Sequence, residues 1–173
     1  MSEAVDTDAY RGVFGAVPYA FRRSDSRLFK LYAVVGAVLA LLLSLVFLLS
    51  LVVFIGQTVD TSATLSLSRS FVVVVGLLTV MPILAPILFV ARRHRRDVGH
   101  DTRYDRRLAL AGFAFICSIY VGLIVSTPPA QQVEVTGPLT PVVEALYGLP
   151  SLVGLVPPVL AALSIYAVHR LSR

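Results

Sequence analysis

Charged residues are scarce in this chain: aspartate, glutamate, lysine and arginine make up 14% of its 173 residues, whereas hydrophobic residues make up 57%. Soluble domains carry about 25% charged residues. A chain of this length cannot hide so much apolar surface in a core of its own, because small domains bury a limited share of their surface. The composition therefore predicts an integral membrane protein.

Other scarcities exclude particular features. Asparagine is absent, so the chain has no N-glycosylation sequon. Cys117 is the only cysteine, which excludes an intrachain disulfide. Since no histidine lies near Cys117 in the sequence, we expect its thiol to be buried and inert rather than nucleophilic.

Motifs of membrane enzymes are also absent. The sequence contains no H-E-x-x-H, no G-x-S-x-G and no Walker loop. Met81 is the only methionine in an apolar stretch, and no histidine lies in one, which argues against a haem held between helices. We therefore predict no catalytic residue, no cofactor and no metal site.

Four apolar stretches are long enough to cross a bilayer, which takes about 20 helical residues. Such runs are too long for strands and too uniformly apolar for soluble amphipathic helices. The sequence predicts an all-α, four-helix transmembrane bundle over residues 31–170, preceded by a segment over 1–30. The predicted spans cover about 31–55, 71–91, 108–126 and 142–168.

Proline distinguishes the fourth span from the others. It contains Pro150, Pro157 and Pro158, with Gly148 and Gly154 between them. Proline removes a backbone donor and clashes with the preceding helical turn. We expect this helix to be kinked or locally broken.

The basic residues predict the orientation of the bundle. Fourteen of the 15 lysines and arginines lie in the N-terminal segment, the 92–107 loop or the C-terminal tail, and only Arg69 lies in a loop on the other side. Because cytoplasmic loops carry the excess of lysine and arginine, both termini and the 92–107 loop are predicted to be cytoplasmic, in the cell membrane.

The stretch from Tyr10 to Phe21 places aromatic and apolar residues just before a basic cluster. Such a stretch suits a segment that lies in the headgroup region. The alternative is an ordered lead-in that packs on the cytoplasmic end of the bundle. Both alternatives stay open on the sequence alone.

The 92–107 loop is the most charged part of the chain. Asp97, Asp101 and Asp105 alternate with basic residues, as expected for solvated extensions of two helices. The spacing of His94 and His100 matches no zinc pattern, and we predict no nucleic-acid partner. Arginines near a charged membrane surface contribute about 1 kcal/mol each. Contacts with anionic lipid headgroups are predicted for Arg92, Arg93, Arg95, Arg96, Arg103, Arg106 and Arg107.

Small residues recur at helical spacing on two spans. Small residues let helix backbones approach closely, so both lines are predicted to pack against other helices, within the bundle or in a partner. The lines are Ala33, Ala37, Ala40 and Ser44 on the first span, and Ala114, Ser118 and Gly122 on the third.

The runs Tyr10–Arg22 and Ala91–Arg96, within this four-span layout, resemble small uncharacterised membrane proteins of halophilic archaea. The bias towards arginine, with Lys30 the single lysine, fits a GC-rich genome. Such families have no assigned activity. The resemblance therefore implies a habitat and no site residues.

Three functional hypotheses remain. The first is a non-enzymatic membrane component: an accessory subunit, an assembly factor or a lipid-interacting scaffold, with a membrane-protein partner or a second copy. The second is a small transporter or channel for a neutral or hydrophobic solute that uses the broken fourth helix. No ionisable residue lies at mid-depth in a span, which argues against proton coupling. A membrane enzyme is third.

Overall fold

The computed structural model describes residues 12–57, 64–96 and 102–172. Within these ranges the chain is helical and contains no strand, which confirms the predicted all-α class. Two short 3₁₀ segments, Pro129–Gln131 and Ser151–Leu155, lie between helices. The six helices are α1 (Gly12–Arg23), α2 (Arg27–Gln57), α3 (Thr64–Arg95), α4 (Thr102–Val125), α5 (Thr140–Tyr147) and α6 (Val156–Leu171).

In the part of the chain that the structure describes, four helical segments are long and apolar enough to cross a membrane, as predicted. They are Arg27–Gly56, Ser70–Arg95, Thr102–Val125 and Ser151–Leu171. The fourth begins at Ser151 rather than near residue 142, because α5 ends at Tyr147 and a 3₁₀ segment leads into α6. Pro157 and Pro158 lie in the first turn of α6. Backbone N–H groups there have no acceptor within the helix, so proline costs no helical hydrogen bond.

The chain forms two compact units, residues 1–109 and 110–173, with the boundary inside α4. In the first unit, α2 and α3 pack side by side and run in opposite directions. Two contacts show this: Tyr32 contacts Ile83, and Phe47, further along α2, lies against Gly76, which comes earlier in α3. The Tyr32 hydroxyl donates a hydrogen bond to the Ile83 carbonyl oxygen at 2.6 Å. This bond holds α2 to the part of α3 that contains two prolines.

Helix α1 packs against both α2 and α3. Its buried side is made by Ala16 and Ala20, which have no exposed surface and let the helix approach closely. A short turn follows α1, and Ser26 at its end caps α2. The Ser26 Oγ accepts a hydrogen bond from the Phe29 N–H at 3.3 Å. Over Gly12–Arg23 the stretch is therefore an ordered helix packed on other helices, and its position relative to a membrane stays a prediction.

In the second unit, the 3₁₀ segment Ser151–Leu155 packs directly on α4. A Cβ atom on Gly122 would collide with the Gly154 carbonyl oxygen, and one on Gly154 would lie 2.6 Å from the Gly122 carbonyl oxygen. The Ser126 hydroxyl donates to the Ser151 carbonyl oxygen at 3.1 Å. Two glycines thus permit backbone contact, and a serine satisfies a carbonyl near the break in the fourth apolar stretch.

We predict that Gly122→Ala destabilises the protein, because the added methyl group meets backbone rather than a flexible side chain. The expected loss is about 1–3 kcal/mol of unfolding free energy, as for overpacked interiors. Denaturation in detergent micelles measures it. Gly56→Ala is the matched control, since a Cβ there meets no atom within 4 Å. Equal stability of the two variants would contradict the close contact.

Candidate functional site

A buried polar cluster joins three segments of the first unit. Ser24 follows the end of α1, His94 lies in the last turn of α3 and Asp105 lies in the first turn of α4. Each side chain is almost wholly buried: the exposed fractions are 0% for Ser24, 7% for His94 and 1% for Asp105. We call these three residues the Asp105 cluster.

The Asp105 carboxylate stands at the centre of the cluster. Its Oδ2 accepts a hydrogen bond from the Ser24 hydroxyl at 2.6 Å and lies 3.1 Å from His94 Nε2. Ser24 Oγ also accepts from the Ser26 backbone N–H at 3.2 Å, which fixes the turn between α1 and α2. One carboxylate oxygen therefore holds the α1–α2 turn, the end of α3 and the start of α4 together.

The helix termini favour this charge distribution. An acidic side chain in the first turn of a helix interacts favourably with the helix dipole, as does a histidine in the last turn when it is protonated. Asp105 and His94 occupy those positions on α4 and α3. Asp105 Oδ1 has no hydrogen-bond partner among the described residues. Because a buried carboxylate is costly without partners, the bonds to Oδ2 matter for stability.

The order of the three groups differs from that of a hydrolytic triad. In a triad, histidine lies between serine and acid and removes the serine proton. Here the acid lies between the other two, and the serine hydroxyl donates directly to the carboxylate. The hydroxyl is thus held in a hydrogen bond to an acid and is buried. This geometry positions helices and does not activate a nucleophile.

The sequence-based interpretation of Asp105 as a solvated residue is wrong, since it is buried. A helical pattern could have revealed this: Tyr104, Asp105, Leu108 and Ala109 recur at i, i+1, i+4 and i+5 and form one buried side of α4. The flanking arginines hid that pattern. Asp97, His100 and Asp101, which were considered with Asp105, lie outside the described residues.

The predicted lipid-contacting arginines are not all alike. The Arg93 guanidinium lies 4.1 Å from the centroid of the Tyr104 ring and is half-buried, a cation–π contact between α3 and α4. The other six are exposed: Arg92, Arg95, Arg96, Arg103, Arg106 and Arg107.

Arg22, Arg23 and Arg27, on either side of Ser24, are exposed too. The Asp105 cluster thus brings three arginine-bearing segments to one end of the first unit. We call the nine exposed arginines the basic end.

The two small-residue lines are buried only in part. On α2, Ala33 and Ala40 are buried and Ala37 is half-buried, whereas Ser44 is exposed. Ser44 borders an otherwise apolar groove of about 320 Å³ between α2 and α3.

On α4, Ser118 and Gly122 are buried and Ala114 is exposed. Gly122 makes the backbone contact with Gly154 described above, whereas the Ser118 hydroxyl donates to the Phe115 carbonyl oxygen of its own helix at 2.6 Å. Cys117 is exposed, so the expectation of a buried thiol is wrong.

These features define an all-α protein with four helices fit to cross a membrane and a buried acidic contact at a basic helix end. The chain belongs to the family described as a domain of unknown function, DUF8056, whose model matches residues 1–173. No curated protein and no solved structure matches it. The family match covers the whole chain and assigns no activity.

We predict that Ser24→Ala destabilises the first unit, because it removes a donor from a buried carboxylate. The expected loss is about 1–3 kcal/mol of unfolding free energy. Ser118→Ala is the matched control: this serine is also buried, but it bonds a carbonyl of its own helix.

A double-mutant cycle with Asp105→Ala, which removes both carboxylate oxygens, isolates the contact between the two side chains. Denaturation of the single and double variants in detergent supplies the free energies. Strictly additive losses would show that Ser24 and Asp105 do not interact.

Proposed function

We propose that this chain is a non-enzymatic, multi-pass protein of the cell membrane that acts as a lipid-interacting accessory component, either a scaffold or a subunit of a larger assembly. The observation that carries the proposal is the meeting of three arginine-bearing segments around the Asp105 cluster, at the ends of apolar helices. The family match assigns no activity. An origin in halophilic archaea remains a prediction.

The basic end suits a membrane surface because of where its arginines lie along the helices. Arg27 begins the first apolar segment, Arg92 lies near the end of the second, and Arg106 lies near the start of the third. When these helices cross a bilayer, such positions fall at the headgroup layer. Anionic headgroups there attract arginine by about 1 kcal/mol per residue.

The same charges give the proposed orientation. An excess of arginine marks the cytoplasmic side of multi-pass proteins, so both termini and the 92–107 loop are assigned to the cytoplasm. The exposed apolar surface of α2 faces lipid or a membrane-protein partner. Leu41, Leu45 and Leu48 are examples, each exposed by half or more.

Packing in the second unit favours this role over transport. Discontinuous helices form transport sites when their freed backbone groups line a cavity. Around Gly154, however, the backbone lies against Gly122, and the Ser126 hydroxyl donates to the Ser151 carbonyl oxygen. A backbone that is packed and hydrogen-bonded to a neighbouring helix leaves less room for a solute.

The orientation predicts the labelling of introduced cysteines. In a Cys117→Ser background, Ser66→Cys should react with a membrane-impermeant thiol reagent added outside intact cells. Ser2→Cys is the control and should react only after the membrane is permeabilised. The reverse pattern would overturn the proposed topology, because it would place the 92–107 loop outside.

We predict that changing three exposed arginines, Arg92, Arg96 and Arg106, to glutamine weakens the binding of anionic lipid. At about 1 kcal/mol each, the loss corresponds to roughly a hundredfold weaker affinity for anionic lipid. The measurement is the rise in melting temperature when anionic or zwitterionic lipid is titrated into detergent-solubilised protein.

The matched control changes the same three arginines to lysine, which keeps the charge. Wild type and the lysine variant should be stabilised by anionic lipid far more than by zwitterionic lipid. The proposal fails when the glutamine variant gains as much stability from anionic lipid as the wild type does.

A further inference from the structure

Helix α1 carries two neighbouring apolar stripes; other helices bury one and leave the other partly exposed. Ala16 and Ala20, four residues apart, are buried in the packing of α1 on α2 and α3. Val13, Val17 and Phe21 follow the same spacing on an adjacent side of the helix. Val13 is 42% exposed and Phe21 is 38% exposed. The second stripe therefore presents apolar surface outward from a helix that is already docked.

Basic groups lie along α1 and at the start of α2, and one of them lies against the exposed stripe. The Lys30 ammonium nitrogen lies 5.7 Å from the centroid of the Phe21 ring, and the Arg23 guanidinium lies 5.8 Å from that of Tyr19. Arg22 is exposed as well. An apolar helix side with cations on the rest of the surface is typical of helices that lie at the boundary between headgroups and acyl chains.

The connections of α1 determine its depth. It is joined to α2 by a turn of three residues, 24–26, and the first apolar segment begins directly afterwards at Arg27. The hydrogen bond from Ser24 to Asp105 ties the same turn to the start of α4. Helix α1 is therefore held at the level where apolar segments end, and it cannot move far from that level without breaking this bond.

We propose that α1 lies in the headgroup layer of the bilayer, with Val13, Val17 and Phe21 entering the upper acyl region. Arg22, Arg23 and Lys30 then contact headgroup phosphates, so α1 extends the basic end along the membrane surface. The inference deepens the proposed function by adding an apolar anchor to an electrostatic surface. It rests on the proposed membrane placement but not on a preference for anionic lipid.

Tryptophan fluorescence tests this placement directly, because the chain contains no tryptophan. Phe21→Trp supplies a single fluorophore in protein reconstituted into vesicles whose lipids carry bromine at a chosen depth. We expect its emission to be blue-shifted from that of tryptophan in water. We also expect bromine near the top of the acyl chains to quench it more than bromine near their ends.

Two variants calibrate the measurement. Leu45→Trp, at a half-exposed position within α2, marks the deep acyl region and should show the opposite order of quenching. Pro18→Trp places the fluorophore at an exposed position of α1 away from the stripe, and its emission should be less shifted than that of Phe21→Trp. Should Phe21→Trp fail to fold, Val13→Trp tests the same stripe.

Three outcomes would overturn the inference: emission like that in water, quenching as deep as at Leu45, or a blue shift without quenching. The last would show that protein, such as a second copy of the chain, covers the stripe. Vesicles of zwitterionic lipid alone separate this inference from the proposed function. Shallow quenching there supports the inserted stripe even when the glutamine variant shows that the basic end has no anionic preference.

Discussion

The arrangement of the basic end depends on the contacts that the Asp105 carboxylate makes with Ser24 and His94. Arginine-bearing segments at Ser24, His94 and Asp105 meet there, and their like charges repel one another. Asp105 is the only buried acidic side chain among the described residues, and its Oδ2 interacts with groups from both other segments. Because partners for a buried carboxylate are costly to lose, the cluster opposes separation of the segments. The basic end follows from this contact, which also ties the turn after α1 to the start of α4.

Away from that end, the need to satisfy backbone polar groups shapes the helices. In hydrocarbon no water replaces a missing hydrogen bond. Tyr32 donates to Ile83 in the part of α3 that contains Pro82 and Pro86. Ser126 donates to Ser151 beside the break after α5. In both places a side-chain hydroxyl from another segment of the chain donates to a backbone carbonyl oxygen close to a proline.

Much of the fold was predictable because it depends on local composition. Four long apolar helices follow from runs too hydrophobic for any other environment. The Asp105 cluster was not predictable in the same way. Its members are separated by up to 81 residues, and the charges around Asp105 and His94 suggested exposure. The apolar helical pattern that includes Tyr104 and Leu108 marks the side of α4 on which Asp105 lies, but the flanking arginines hid it.

The sequence by itself determined the helical class and the number of apolar segments, because both depend on the cost of exposing hydrophobic runs to water. It also contained the uneven arginine distribution that underlies the proposed orientation. Only the tertiary structure decided which charged residue turns inward. Asp105 is buried because α1, α3 and α4 bring a serine and a histidine to it. The tertiary structure likewise decided that α1 docks through Ala16 and Ala20 and leaves Val13 and Phe21 exposed, since helix packing selects one of two similar apolar stripes.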